Sequence, residues 1–193
     1  RRAFDDTKEM AHNFMQVFDG AYEMGYAWAT VHCRTVQQKY KGPGRWGFLK
    51  DLTASRSDRL ICGSGDIWEV QDIFAMLDFT NVQAVAVARG CIGNPWIFKQ
   101  AKQLMRGESP QRPSLQEQRE VLLRHFDLST VIHGEQSASR MMRKFGIKFA
   151  AHHPSAPEQV KSAFVRCKNR NDWLNVMNEF YVDEGRAELL GEV

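Results

Sequence analysis

The sequence predicts an α/β fold with a parallel sheet, followed by an all-α domain. Short apolar runs of β type at about Tyr26–Val31, Leu60–Cys62 and Val82–Ala88 alternate with segments of helical period. Strands that alternate with helices pair in parallel through right-handed crossovers. Past the polar, Pro-bearing stretch 106–114, no strand-like run remains.

At the start, Asp6-Thr-Lys-Glu9 reads as a capping box, and Met10, Phe14, Val17, Phe18 and Ala21 recur at helical spacing. They predict a helix over about 7–24, closed by a left-handed Gly25. The strand Tyr26–Val31 then ends in His32-Cys-Arg-Thr35, and a polar loop runs to Gly42-Pro43-Gly44. A helix over about 46–54 leads into Leu60-Ile-Cys-Gly-Ser-Gly-Asp-Ile67, where Asp66 is placed to cap a helix over about 67–79. The third strand runs into Arg89-Gly90, and Asn94-Pro95 opens a helix over about 95–105. Further helices are expected at about 115–133, 137–151, 157–168 and 171–182. Three strands cannot close an eight-stranded barrel and would leave an unpaired edge. The chain therefore reads as the C-terminal part of a longer protein: an α/β part over 1–105, a linker over 106–114 and a helical bundle over 115–193.

The glycine turns carry the chemistry. Gly65 and Gly90 are separated by about one strand–helix–strand unit, so their loops fall on one rim of a parallel sheet. Glycine lets the backbone approach a ligand, and Arg89 adds a guanidinium, which is what a phosphate needs. Taken singly, each Gly-x-Gly would serve only a tight turn. The pair together with Arg89 favours an anion site.

Composition narrows the partners. No apolar run approaches the ~20 residues that span a bilayer, so no membrane partner is expected. The scattered, mostly apolar-flanked cysteines fit a reducing compartment, so a cytoplasmic protein is expected. Cys33, Cys62, Cys91 and Cys167 lack Cys-x-x-Cys spacing, which argues against a zinc site or a disulfide framework, and His152-His153 alone is weak evidence for a metal. No metal is expected. The net charge of +3 hides an asymmetry: residues 136–170 hold eight Lys/Arg against Glu158, a balance of +7. Nucleic acid is the natural partner of such a segment. Ala138, Met141, Met142, Phe145 and Phe149 form an apolar stripe there, while Arg140, Arg143, Lys144 and Lys148 share another face and can follow a phosphate backbone.

Val31-His-Cys-Arg-Thr35, Gly63-Ser-Gly-Asp-Ile67, Ala88-Arg-Gly-Cys-Ile-Gly-Asn-Pro-Trp-Ile-Phe98 and Arg140-Met-Met-Arg-Lys144 together resemble the tRNA-dihydrouridine synthases. The resemblance covers nearly the whole chain. It implies the last three strands of an FMN-binding TIM (β/α)8 barrel, followed by a helical tRNA-binding domain. It also implies an oxidoreductase that reduces uridine in tRNA with FMN as cofactor and NADPH as reductant. Carried over, the FMN contacts are Ser64, Gly65 and Asp66 in one loop and Ala88 and Arg89 in the other, with His32 near the flavin ring. Asp66 is expected to cap its helix or hold ribityl hydroxyls rather than face the phosphate. The RNA-binding set is Arg34, Arg140, Arg143, Lys144 and Lys148, although Arg34 suits an ion pair equally. The family often has Asn where Ser64 stands and Gly where Cys33 and Ala88 stand. Its general-acid cysteine and flavin-contacting lysine fall in sequence expected before Arg1, so no catalytic residue is assigned within this chain. These 193 residues alone are expected to be inactive, and the protein to be a monomer. Two alternatives are another FMN barrel oxidoreductase acting on a small molecule, and a flavin-free RNA-binding module.

Overall fold

The computed structural model describes residues 1–182 and divides the chain into two compact units, Arg1–Cys91 and Ile92–Val193. Residues of the expected helical domain beyond Val182 lie outside the described residues.

In the first unit α1 (Lys8–Glu23), β1 (Ala29–His32), α2 (Trp46–Ser55), β2 (Ile61–Ser64), α3 (Val70–Thr80) and β3 (Ala84–Ala86) follow one another, and a single 3-10 turn spans Arg89–Cys91. The sheet is parallel in the order β1-β2-β3. Its register sets His32 opposite Ser64 and Ser64 opposite Ala86, so the three carboxyl ends are level. Beneath them Val31, Leu49, Leu52, Ile61, Met76 and Val82 form a buried core. Gly63 in β2 is required there. A Cβ at that position would come within 2.8 Å of Met76 Sδ and 3.1 Å of Val82 Cγ2, so its absence lets side chains from α2 and α3 settle on the strand.

Several local expectations change. Thr7, not Asp6, caps α1 by accepting from the Met10 N–H, while Asp5 accepts from Thr7. Tyr26 and Trp28 precede the strand and are exposed, because aromatic character alone does not reveal which side of a chain is covered. Asp66 does not cap α3. Gly65 and Asp66 both take positive φ, which turns the chain and delays the helix until Glu69, whose side chain forms a reciprocal capping box with Asp72. Pro95 likewise falls outside α4, which begins at Ile97.

The second unit holds α4 (Ile97–Met105), α5 (Leu115–His133), α6 (Glu135–Ala150), α7 (Pro157–Arg166) and α8 (Arg170–Phe180). Ser114 and Glu117 box the start of α5. The core joins Leu122 and Phe126 to Met142, Phe149, Val160, Phe164, Trp173 and Met177. Gly146 lets α6 and α7 approach closely, since a Cβ there would lie 2.5 Å from the Phe164 ring. Met141, expected in the apolar stripe, is 44% exposed. The units part earlier than the 105/106 boundary expected from sequence, for visible reasons. Gly93 packs on the Lys148 backbone, Trp96 meets Phe149 edge-on, and Gln100 and Gln103 bind the backbone of Gln111, tying α4 and the connector to the helices. Among the described residues, no helix is long and apolar enough to cross a membrane.

Candidate functional site

Three strand ends with their loops converge on a small cleft of about 70 Å³ that opens to solvent. His32, Ser64, Gly65, Asp66, Ala88 and Arg89 all line it. Two backbone close approaches lock the loops together. A Cβ at Gly90 would stand 2.2 Å from the Ile67 carbonyl oxygen, so only glycine lets the third loop lie against the second. A Cβ at Gly65, whose φ is +126°, would stand 2.5 Å from Cys33 Sγ and 3.3 Å from the His32 ring. The Trp46 indole N–H donates to the Gly65 carbonyl at 3.0 Å, holding the second loop from α2.

The charges in the cleft are unequally satisfied. Asp66 takes two hydrogen bonds from Arg34, at 2.5 and 2.7 Å, and one from the Gly44 N–H. Burial by itself would raise the Asp66 carboxyl; the Arg34 guanidinium and the Gly44 N–H outweigh it, and the pKa lies below 3.8. Arg89, in contrast, has no hydrogen-bond or ion-pair acceptor among the described residues. Its guanidinium carbon lies over the Tyr40 and Trp68 rings, 4.3 and 4.8 Å from their centroids. His32 Nδ1 lies 3.3 Å from Ser64 Oγ. Burial, joined by the cations around it including Arg34 and Arg89, pushes the His32 pKa below 6.5 and so favours the neutral ring. The cleft thus combines a carboxylate held by Arg34 and Gly44, a neutral imidazole, and a guanidinium with no ion-pair partner among the described residues. Cys33 is fully buried behind the cleft and its thiol is pushed up, chiefly by burial, which suits packing rather than nucleophilic chemistry.

Arg34, equally expected to contact RNA or to form an ion pair, turns inward and makes the ion pair. Its side chain is 4% exposed and committed to Asp66 and the Lys41 carbonyl, because the carboxylate of the second loop offers a charged partner that the sequence places far away. Tyr40 and Trp68 were not singled out from sequence. The available signal was aromatic residues inside otherwise polar, glycine-flanked loops.

In the second unit Arg140, Lys144 and Lys148 are exposed on α6 and Arg143 is half-buried. None of the four forms an ion pair among the described residues. Arg143 also faces an open recess shared with Arg166 and Lys168. His153 is structural: Nε2 lies 2.8 Å from the Phe180 carbonyl and Nδ1 accepts from the Ala156 N–H.

Residues 1–184 match the dihydrouridine synthase (Dus) family. The chain is 30% identical over 155 residues to the probable tRNA-dihydrouridine synthase of Mycobacterium leprae, covering 80% of this chain and 40% of that protein. It is 32% identical over 133 residues to tRNA-dihydrouridine synthase B of Shewanella oneidensis, covering 68% and 41%. Against the probable tRNA-dihydrouridine synthase of Rickettsia typhi it is 28% identical over 180 residues, covering 93% and 50%. The chain spans 40–50% of the length of these relatives. With a level parallel sheet, a three-loop cleft and a match running nearly end to end, the chain belongs to the dihydrouridine synthase family.

Proposed function

We propose that the three-loop cleft seats the phosphate of FMN, and that the protein takes part in the NADPH-dependent reduction of uridine to dihydrouridine in tRNA. The three strands are then the last three of a (β/α)8 barrel, and the cytoplasm is the natural compartment. The observation that carries the reading is Arg89, a cation with no hydrogen-bonded or ion-paired acid among the described residues, at the mouth of a cleft whose backbone is exposed by Gly65 and Gly90. A phosphate monoester supplies the missing charge, and the planar guanidinium fork suits it.

When bound, the flavin supplies hydride chemistry; the residues of this chain supply placement. Arg89 binds the phosphate, with the backbone of the Ser64–Asp66 turn and of Ala88 beside it. His32, 3.3 Å from Ser64 and with its charged form disfavoured, offers a ring nitrogen toward the cofactor without adding a second positive charge to the cleft. Asp66 serves indirectly by anchoring its loop to Arg34. No residue of this chain is assigned as the general acid. On the helical unit, Arg140, Arg143, Lys144 and Lys148 hold the tRNA backbone. Those contacts offset the few kcal/mol needed to turn a stacked nucleotide outward.

Titrating the purified chain with FMN and with riboflavin tests the reading. FMN should bind at least tenfold more tightly, and Arg89→Ala should remove most of that preference. Equal affinity for the two flavins would refute a phosphate seat.

A further inference from the structure

We infer that Tyr40 and Trp68 are positioning residues that hold the Arg89 guanidinium toward the cleft, and so set its selectivity for a phosphomonoester over the neutral flavin. The inference rests on the phosphate reading of the cleft. Tyr40 belongs to the loop after β1, Trp68 to the loop after β2 and Arg89 to the turn after β3. Each strand end therefore contributes one member of a single stack. The rings remain 66% and 42% exposed, and Trp68 also lines the cleft, so they are not core residues that happen to touch an arginine.

An unattached arginine on a short turn would sample many rotamers, and fixing it would oppose anion binding. Ring faces restrain the guanidinium by cation–π attraction while leaving its N–H groups, which lie in its own plane, free to donate. Asp66 could have neutralised Arg89 from inside the same cleft, yet Arg34 and Gly44 hold that carboxylate. The arrangement keeps Arg89 oriented without consuming its donors. Lysine could not replace it, having neither the plane nor the fork.

The test measures FMN and riboflavin affinities of the purified chain for wild type, Tyr40→Ala, Tyr40→Phe, Trp68→Ala and Arg89→Ala, and for the Tyr40 and Trp68 alanine changes in the Arg89→Ala background. Tyr40→Ala and Trp68→Ala should each weaken FMN roughly three- to tenfold while leaving riboflavin unchanged. Tyr40→Phe should retain wild-type affinity, because the ring and not the hydroxyl does the holding. Without Arg89, neither alanine change should cost anything further. Equal losses for FMN and riboflavin, or losses that persist without Arg89, would overturn the inference, since the rings would then touch the flavin itself. A wild-type chain that fails to prefer FMN sinks the phosphate reading instead, and this inference with it. A preference that survives both alanine changes sinks the inference alone.

Discussion

The Arg34 guanidinium sits 2.5 and 2.7 Å from the two carboxylate oxygens of Asp66, joining the loop after β1 to the loop after β2. The pair is mostly buried, with side-chain exposures of 4% and 18%. Removing one partner of a buried pair leaves an uncompensated charge and costs about 3–5 kcal/mol. Asp66→Asn keeps the shape and the Gly44 acceptor but strands Arg34, so it should lower urea-unfolding stability at pH 7 by that order. The pH dependence has a definite sign. The Asp66 pKa is depressed below 3.8 in the folded state, so its contribution is present above 3.8 and lost as pH falls through the lower folded value. The gap between wild type and Asp66→Asn should therefore close only in acid below 3.8. Matching urea midpoints at pH 7 would show the pair to be dispensable.

Gly90 and Gly20 should respond in opposite directions to alanine. At Gly90 the new Cβ meets the Ile67 carbonyl at 2.2 Å, and backbone cannot swing aside as a side chain can. Gly90→Ala should cost upwards of about 1–3 kcal/mol and separate the two loops, lowering FMN affinity as well. Gly20 lies inside α1 with nothing within 4 Å, so Gly20→Ala should stabilise by about 0.5–1 kcal/mol through helix propensity. Thermal melts of the two variants check both signs. A stabilised Gly90→Ala variant would mean that the loops do not pack as described.

What the sequence made legible was local. Leu115–His133 was expected with the bounds the structure gives, and the structure closes its start with a capping box between neighbouring residues, Ser114 and Glu117. Glycine turns at strand ends mark a sheet rim, and the resemblance supplied His32, Ser64, Gly65, Asp66, Ala88 and Arg89. All six line the cleft, while Ile67, Trp68 and Ala86, which also line it, were not foreseen. Sequence alone misplaces Asp66 as a helix cap and leaves Arg34 between an RNA contact and an ion pair, because each depends on a partner 32 residues away. Gly65-Asp66 looks like a helix start in sequence, and only the positive φ at both positions shows that the chain turns first. The stack of Tyr40, Trp68 and Arg89 draws on three separate loops, and no periodicity or spacing encodes such a meeting.

His32 should titrate below 6.5, since burial and then neighbouring cations disfavour its charged form. The folded state resists protonation, so stability tied to this group is intact above 6.5 and declines as pH falls below it. Arg89 is one of the cations responsible, and Arg89→Ala should move the His32 pKa upward. NMR of the imidazole carbon-bound protons across pH 4.5–8 reads both effects. A His32 pKa unmoved by the loss of Arg89 would separate the ring from the cation across the cleft.

The α6 cations should act through salt-dependent phosphate neutralisation rather than by reading bases. Arg140, Lys144 and Lys148 are exposed, Arg143 is half-buried, and none is paired with an acid among the described residues. Each phosphate neutralised contributes roughly 0.7–0.9 to the slope of log affinity against log salt, so all four together account for about 3. Replacing the four by Ala should weaken tRNA binding and reduce that slope by about 3, while FMN affinity stays put because the cleft lies in the other unit. Filter binding or anisotropy between 50 and 300 mM KCl measures the slope. Weaker binding with an unaltered slope would mean that the helix had been damaged, and the cations would lose their assigned role. Arg143→Ala alone should reduce the slope by less than Lys144→Ala, because a half-buried guanidinium reaches fewer phosphates than an exposed amine on the same face.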